Sequence, residues 1–305
     1  MFKGCTKLNT FKAKEINTTE TGSSFMTNIG LSDAKESLTT FEADLPKLTD
    51  GNEMFYKCTA LTSFKSDMPN LEIMTSMFDT CKKLSSFDSS PTLNAVTNAD
   101  FAFYECYELP KFNCSEMNAL TSAKSMFYRC ESLEQVNTSF NSLETAFNMF
   151  GGCTNLKSIR NSFLAVKNGR QMFNGCTSLE SFELNFPNLE DGKNMFYRCS
   201  SLTSITNVNL QNLYSAEGMF TTGVGLDKAS CISLGNALAA NVASWPTAVD
   251  GSGNGVTINV NAGLKDDEDV KEALGNLQFY NNELDCIGEI INASNSKIVI
   301  RVLFV

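Results

Sequence analysis

The sequence contains no histidine, and this absence narrows the chemistry open to the protein. Without His, neither a Ser-His-Asp nor a Cys-His catalytic arrangement can form, and the commonest general base near neutral pH is missing. Zinc is disfavoured too, because no two cysteines stand at the C-x2-4-C spacing that zinc sites use. The sequence therefore predicts no enzyme, no metal and no cofactor.

Long apolar runs and an excess of basic charge are also missing. The most apolar segment, residues 298–305, is far shorter than the roughly 18 residues that cross a bilayer. The formal net charge is −10, and an acidic surface repels phosphate backbones and anionic lipid headgroups. We expect neither nucleic-acid binding nor membrane insertion. The opening residues MFKGCTKL show no signal peptide.

What the sequence does contain is a string that returns about every 23 residues. It reads MFGGCTNLKSI at 149–159, MFNGCTSLESF at 172–182 and MFYRCSSLTSI at 195–205. After the Phe of the Met-Phe pair, Cys follows at the third residue, Leu at the sixth, and Phe, Ile or Val at the ninth. This Phe recurs at Phe2, Phe55, Phe78, Phe103, Phe127, Phe150, Phe173, Phe196 and Phe220.

A repeat of this length cannot bury its apolar face alone, so successive repeats must stack, with identical positions above one another. We predict a solenoid over residues 1–228 with about nine or ten rungs. Each rung is expected to place a short parallel strand at L-x-x-[FIV] and a tight helical turn at Met-Phe-x-x-Cys. Two rungs depart from the pattern, near residues 24–41 and 214–228.

The recurring block resembles the BspA-type leucine-rich repeats of bacterial surface proteins, which have a period near 23 residues and an A-F-x-x-C-x-x-L block. It stands here as AFYECYEL at 102–109, and more often with Met in place of Ala. The resemblance covers roughly residues 1–230. It implies a curved solenoid of repeated β/α units, with short parallel strands and a surface for recognition, often in host contact or adhesion. It brings no catalytic residues.

Residues 229–305 lack the repeat and predict a small α/β domain that caps the solenoid or docks onto a partner. Helices are expected at Cys231–Val242 and Asp266–Leu277, the second with acidic residues at its positive dipole end. The alternation of apolar residues predicts a strand at 255–264, and another is expected at 298–305.

Eight of the 11 cysteines fall on the repeat, and three interpretations of them remain open. They are small apolar thiols packed at a turn, disulfides between rungs, or metal ligands. Stacked strands about 4.8 Å apart bring Cα atoms within the distance range of a disulfide, so spacing alone does not decide.

Two strips are candidate partner-binding surfaces. One follows the conserved Phe, where Tyr alternates with polar residues, because Tyr offers a large rigid contact area and one hydroxyl. The other lies on the outer face of the strands, where charge varies from rung to rung. The first strip contains Tyr56, Tyr104, Tyr128 and Tyr197, and the second contains Lys65, Lys111, Lys157, Arg160, Glu180 and Glu183.

These observations favour a non-catalytic recognition or adhesion module that binds a protein or glycan. Its expected location is extracellular, on a bacterial cell surface or a virion. An alternative is a structural or assembly component of a larger particle such as a phage virion, and a hydrolase is a distant third. A neighbouring chain that covers the N-terminal rung is a further possible partner.

Overall fold

The computed structural model describes residues 5–17, 22, 24–89, 93–159, 163–221, 223–241, 256–274, 278–280, 285–291 and 297–304. The chain packs as two compact units, residues 1–162 and 163–305. Stacked rungs with parallel strands build the first unit and the beginning of the second. The predicted leucine-rich-repeat solenoid is therefore confirmed.

Six short strands form the sheets of the first unit, and every pairing between them is parallel. The register places the repeat anchors opposite one another, as in Phe41 against Phe64 and Phe64 against Phe87. Each of the strands β3 to β6 begins one residue before its anchor, so the Leu of L-x-x-[FIV] lies in the turn and not in the strand. The strands are β1 (Thr10–Glu15), β2 (Thr40–Asp44), β3 (Ser63–Ser66), β4 (Ser86–Ser89), β5 (Lys111–Glu116) and β6 (Gln135–Ser139).

Two columns of phenylalanine rings fill the core of the first unit. One column runs through the turns, with Phe103 stacked on Phe127 at 5.5 Å and Phe127 on Phe150 at 5.5 Å. The other runs through the strands, and the two meet edge to face, as Phe64 meets Phe78 at 4.7 Å. Such aromatic pairs contribute roughly 0.5–1.5 kcal/mol each beyond the area they bury.

The departure near residues 24–41 is a short helix, α1 (Ser24–Asn28), in place of a standard turn. Phe25 and Met26 of this helix are fully buried. The Phe25 ring contacts Phe41 at 6.2 Å and Phe55 at 6.4 Å, so the irregular rung still supplies aromatic contacts to both columns. The strand predicted at Leu156–Ile159 is absent from the described residues of that rung, where Ile159 is only half-buried.

The second unit begins with two parallel strands, β7 (Ser181–Asn185) and β8 (Ser204–Asn209), in which Phe182 lies opposite Ile205. The turn column continues within it, with Phe173 stacked on Phe196 at 5.4 Å and Phe196 on Phe220 at 6.0 Å.

The C-terminal region contains two helices and a four-stranded sheet in the order β10-β11-β12-β9. Strands β9 and β12 are parallel, and the other pairings are antiparallel. Two of its strands, β10 and β11, had not been predicted. The elements are α2 (Lys228–Asn241), β9 (Val256–Val260), α3 (Glu268–Ala273), β10 (Gln278–Tyr280), β11 (Asp285–Ile291) and β12 (Lys297–Phe304).

Both predicted C-terminal helices exist, with different ends. Helix α2 begins at Lys228, and α3 begins at Glu268 after Asp267, whose side chain accepts a hydrogen bond from the Val270 N–H. The strand predicted at 255–264 ends at Val260, because the Asn261 side chain accepts from the Gly263 N–H and turns the chain. Val242, residues 275–277 and Val305 lie outside the described residues.

The end of the last rung is covered by α2 and β9. The buried Ser230 hydroxyl accepts from the Ile205 N–H at 2.8 Å and donates to the Ile205 carbonyl at 3.3 Å. Asn259 of β9 donates its N–H to the Phe220 carbonyl, and its own carbonyl accepts from the Leu226 N–H. Elsewhere in the stack, the corresponding backbone groups bond to the next rung. At the last rung, these bonds to α2 and β9 satisfy them instead.

Candidate binding surface

Each turn segment, the Met-Phe-x-x-Cys string, is shaped by two residues in the left-handed backbone region. One stands two residues before the Phe and the other two residues after it. These reversals interrupt any helix, so the predicted helical turn is instead a series of tight turns with i to i−3 hydrogen bonds. The positions are Glu53, Ser76, Phe101, Ser125, Asn148, Gln171, Asn194 and Gly218 before the Phe, and Lys57, Thr80, Glu105, Arg129, Gly152, Gly175 and Arg198 after it; Gly175, Gly152 and Gly218 have φ of 76°, 75° and 64°.

The cysteines of the turn segments face inward as free thiols. Each of five ladder cysteines donates its Sγ–H to the carbonyl of the Phe one rung earlier. The same carbonyl also accepts the N–H of the Cys in its own rung, so both lone pairs are used. The thiol bonds are Cys81 to Phe55 at 3.1 Å, Cys106 to Phe78 at 3.2 Å, Cys130 to Phe103 at 3.1 Å, Cys153 to Phe127 at 3.0 Å and Cys199 to Phe173 at 3.1 Å.

Burial makes these thiols poor nucleophiles. Desolvation raises the pKa of Cys58 and of Cys199 to about 12, from an ordinary value of 9.0. The ten cysteines whose side chains are described form no disulfide, whereas the Cys286 side chain lies outside that part of the chain. Of the three interpretations of the repeat cysteines, packed thiols are the one that the structure shows for the seven that are buried, whereas Cys5 is only half-buried.

The tyrosines that follow the conserved Phe lie half-buried on the outside of the turn segments. Tyr104 and Tyr128 stack with ring centroids 5.0 Å apart. Gly151 follows in the next rung, and a β-carbon there would lie 3.2 Å from Tyr128 Cδ2, so the missing side chain leaves room for the ring. The structure thus brings two of the four predicted tyrosines into contact.

The other two tyrosines each carry a cation from their own rung. Lys57 Nζ lies 4.7 Å from the ring centroid of Tyr56. The Arg198 guanidinium lies 5.1 Å from the centroid of Tyr197. These are cation–π contacts, which are worth about 0.5–1 kcal/mol at exposed sites.

Tyr107, which was not among the predicted site residues, lies between two cations. Lys82 Nζ is 5.6 Å and the Arg129 guanidinium 5.2 Å from its ring centroid. Arg129 also pairs with Glu105 at 3.3 Å and Glu131 at 3.2 Å. The sequence signal for this cluster is an aromatic residue at a repeat position that holds Thr59, Lys82, Glu131, Thr154, Thr177 or Ser200 elsewhere.

The predicted strand-face residues are exposed but mostly engaged with neighbouring strands. Lys65 pairs with Glu42 at 3.4 Å, and the Lys12 and Lys65 charges hold the pKa of Glu42 below its ordinary value. Lys157 pairs with Glu134 at 3.7 Å, and Glu183 accepts from the Asn207 amide at 2.7 Å. Exposed surface pairs of this kind contribute little to stability. Lys111 and Glu180 are also exposed, and Arg160 lies outside the described residues.

The strand face of the first unit also holds a small concavity of about 260 Å³, lined by Gln135, Val136, Asn137 and Ser158. The lining residues that the structure describes contain no carboxylate pair, and the volume is below the usual range of ligand pockets. Over the part of the chain that the structure describes, no group of three or more His, Cys, Asp or Glu is arranged to hold a metal ion. The described helices are all too short or too polar to cross a membrane.

Comparison with solved structures finds other leucine-rich repeat proteins. A protein from Bacteroides ovatus is 23% identical, with 61% of this chain and 57% of that chain covered and a TM-score of 0.37. The T. pallidum leucine-rich repeat protein is 18% identical over 64% of this chain and 82% of that one, with a TM-score of 0.39. A leucine-rich cell surface protein from Faecalibacterium prausnitzii is 18% identical over 67% and 74%, with a TM-score of 0.26.

A search of curated proteins finds no match. The family described as "BspA type Leucine rich repeat region" matches residues 49–165 and 144–228 in six copies, which is more than half of the chain. The matched residues carry the turn segments, the thiol bonds and the phenylalanine columns described above. The chain belongs to the BspA-type leucine-rich repeat family.

Proposed function

We propose that the chain is a non-catalytic recognition module that binds a protein partner outside the cell through the exterior of its turn segments. The observation that carries this proposal is the contrast between positions within one turn segment. Inward positions hold Met or Ala, Phe and Cys in most rungs, whereas the position after the Phe holds Tyr, Lys, Asp, Gly, Asn or Thr. Stacking requires the inward residues, but it does not require half-exposed tyrosines.

Tyrosine is suited to recognition because its ring buries a large area with little conformational entropy, and its hydroxyl adds a hydrogen bond. The free thiols are compatible with an oxidising exterior, since buried protonated thiols are inert. The family membership supports both a surface location and a binding function, because BspA-type repeats occur in bacterial surface proteins.

A binding screen tests this proposal. The intact chain is immobilised and exposed to extracellular matrix proteins and to a glycan array, beside a variant with Tyr56, Tyr128 and Tyr197 changed to Ala. A matched control changes Lys65, Lys111 and Lys157 to Ala on the strand face. We expect saturable binding to at least one protein, lost by the tyrosine variant and kept by the lysine variant.

Equal binding by both variants would remove the tyrosine surface from the proposal. Binding to glycans alone would replace the protein partner by a carbohydrate. Stoichiometric self-association in sedimentation, without binding to any probe, would favour the alternative of an assembly component.

A further inference from the structure

Phe101 occupies a position where its residue type is disfavoured. Its φ is 59°, in the left-handed region, and its side chain is 38% exposed. Other rungs hold Glu, Ser, Asn, Gln or Gly at this position. A bulky residue with this backbone is strained, and the residue stays partly exposed where a ring that stabilises the fold would be buried. Strain without compensating burial points to a role beyond the fold.

The neighbours of Phe101 extend it into an aromatic surface. Its ring centroid lies 6.0 Å from that of Tyr104, at an interplanar angle of 58°. Tyr104 in turn stacks on Tyr128. Lys124 of the next rung is directed to Asp100, with Nζ 3.6 Å from the carboxylate, and not to the rings.

A half-buried carboxylate adjoins this surface from the preceding rung. Asp79 occupies the same repeat position as Tyr104, and the neighbouring Thr80 donates its N–H to the Tyr104 carbonyl at 2.7 Å. The Asp79 carboxylate accepts from Thr80 Oγ1 at 2.7 Å, and within the described residues no Lys or Arg nitrogen lies within ion-pair distance of it. Burial, followed by the charges of Glu105 and Glu53, raises the pKa of Asp79, and the Thr80 hydrogen bond and the charge of Lys57 oppose that rise.

Among the described residues, the chain supplies a cation to three of its other exterior tyrosines, but not to these or to the exposed Tyr214. Tyr56, Tyr107 and Tyr197 each have Lys or Arg over the ring. Tyr104 is followed by Glu105, and the Arg129 that follows Tyr128 lies over Tyr107. Over the described part of the chain, the rings of Phe101, Tyr104 and Tyr128 are without a cation–π partner.

Resting on the proposed recognition function, we propose that Asp79, Phe101, Tyr104 and Tyr128, here called the Phe101 cluster, receive a basic side chain of the protein partner. A guanidinium or ammonium group packs against the ring faces and pairs with the Asp79 carboxylate. The attraction between the partner's cation and the Asp79 carboxylate becomes stronger when both are removed from water. Arg is favoured over Lys because its planar guanidinium can stack on a ring and pair with the carboxylate at the same time.

The test uses a fluorescein-labelled hexa-arginine peptide and fluorescence anisotropy at about 0.15 M salt, where surface charges are screened beyond roughly 8 Å. The variants are Phe101→Asn, the residue that later rungs carry at this position, and Asp79→Asn. The matched controls are Tyr197→Asn, whose ring has its own Arg198, and Asp88→Asn, an exposed aspartate on the strand face. A hexa-glutamine peptide controls for cation dependence.

We expect saturable binding of the arginine peptide, weakened about tenfold by each cluster variant and less than twofold by each control. Phe101 and the Asn that replaces it are both uncharged, so this variant keeps the net charge of the chain. A loss of peptide binding therefore cannot be explained by weaker non-specific attraction to an acidic protein. Circular dichroism and thermal melts establish that each variant is folded.

Unchanged binding by Phe101→Asn, equal losses in the controls, or no saturable binding would each overturn the cluster as a cation receptor. None of these outcomes removes the recognition proposal, because the matrix-protein screen reports on the whole exterior. Equal matrix binding by the tyrosine and lysine variants, with peptide binding that Phe101→Asn still weakens about tenfold, would instead remove the tyrosine surface from the recognition proposal and keep the cluster as a cation receptor.

Discussion

Phe127 and Tyr128 are neighbours in sequence and follow different rules. Phe127 has no exposed surface and lies in a column between Phe103 and Phe150. Tyr128 is half-buried, stacks on Tyr104 and is followed in the next rung by Gly151. The residue type at the Phe127 position is constrained by the rings of the rungs above and below it, whereas the residue type at the Tyr128 position can differ between rungs.

This difference indicates which substitutions affect the neighbouring rungs. An inward residue contacts its equivalents in two rungs and the strand column beside it, so a change is felt on several sides. An outward residue loses only local contacts. Residues that stabilise the fold and residues that we propose contact the partner are therefore adjacent in the same turn segment.

The largest expected effect is the comparison of Phe127→Ala with Tyr128→Ala. Removing the buried ring should cost about 3–5 kcal/mol of unfolding free energy, because it leaves a cavity between two stacked rings. Removing the half-buried ring should cost about 1 kcal/mol. Urea unfolding measures both. Similar losses in the two variants would contradict the division between inward and outward positions.

The next effect concerns the thiol ladder at alkaline pH. The folded pKa of Cys58 and Cys199 is about 12, above the ordinary 9.0, so the unfolded chain releases these protons first as pH rises. Their stabilising contribution is complete below pH 9 and declines between pH 9 and 12 by about 1.4 kcal/mol per thiol per pH unit.

Urea unfolding at pH 8, 9 and 10 with a reductant present measures that decline. A Cys58→Ala variant is the control: it should be less stable at pH 8 and lose less stability per pH unit above 9. Parallel pH profiles for the variant and the intact chain would contradict a raised pKa of Cys58 in the folded state, because the thiol would then be protonated to the same extent in both states.

The smallest effect has the opposite sign. Phe101→Asn should raise the unfolding free energy by about 1 kcal/mol, because Asn tolerates the left-handed backbone that costs Phe roughly 1–2 kcal/mol. Asn148 and Asn194 adopt this conformation at the same repeat position. A thermal melt measures the gain, and Leu164→Asn is the control, because Leu164 is an exposed apolar residue without a positive φ and no gain is expected there. A destabilised Phe101→Asn protein would show that the ring is needed for packing.

Most of the interior could be predicted from the sequence, because stacking forces identical residues onto identical positions. The period of about 23 residues and the Phe, Cys and Leu spacing sufficed for the parallel rungs and the buried columns. The thiol bonds to the Phe carbonyls could not be predicted, since they depend on the height difference between rungs and not on spacing within one rung.

The exterior was predicted only in part. Tyr104 and Tyr128 stand on neighbouring rungs and do stack, but the cations over Tyr56, Tyr107 and Tyr197 depend on which way each side chain turns. The left-handed residues were missed for a related reason. Glu, Ser, Gln and Phe fill those positions in several rungs, and none of them signals a positive φ as Gly does.

Ser230 of helix α2 satisfies backbone groups at the free edge of strand β8 in the second unit. Its single hydroxyl occupies both the donor and the acceptor of Ile205, the groups to which an added strand would bind. An unsatisfied edge of stacked parallel strands is a template for fibre growth. One helix side chain thus occupies the backbone groups of Ile205 with which a further strand would otherwise pair.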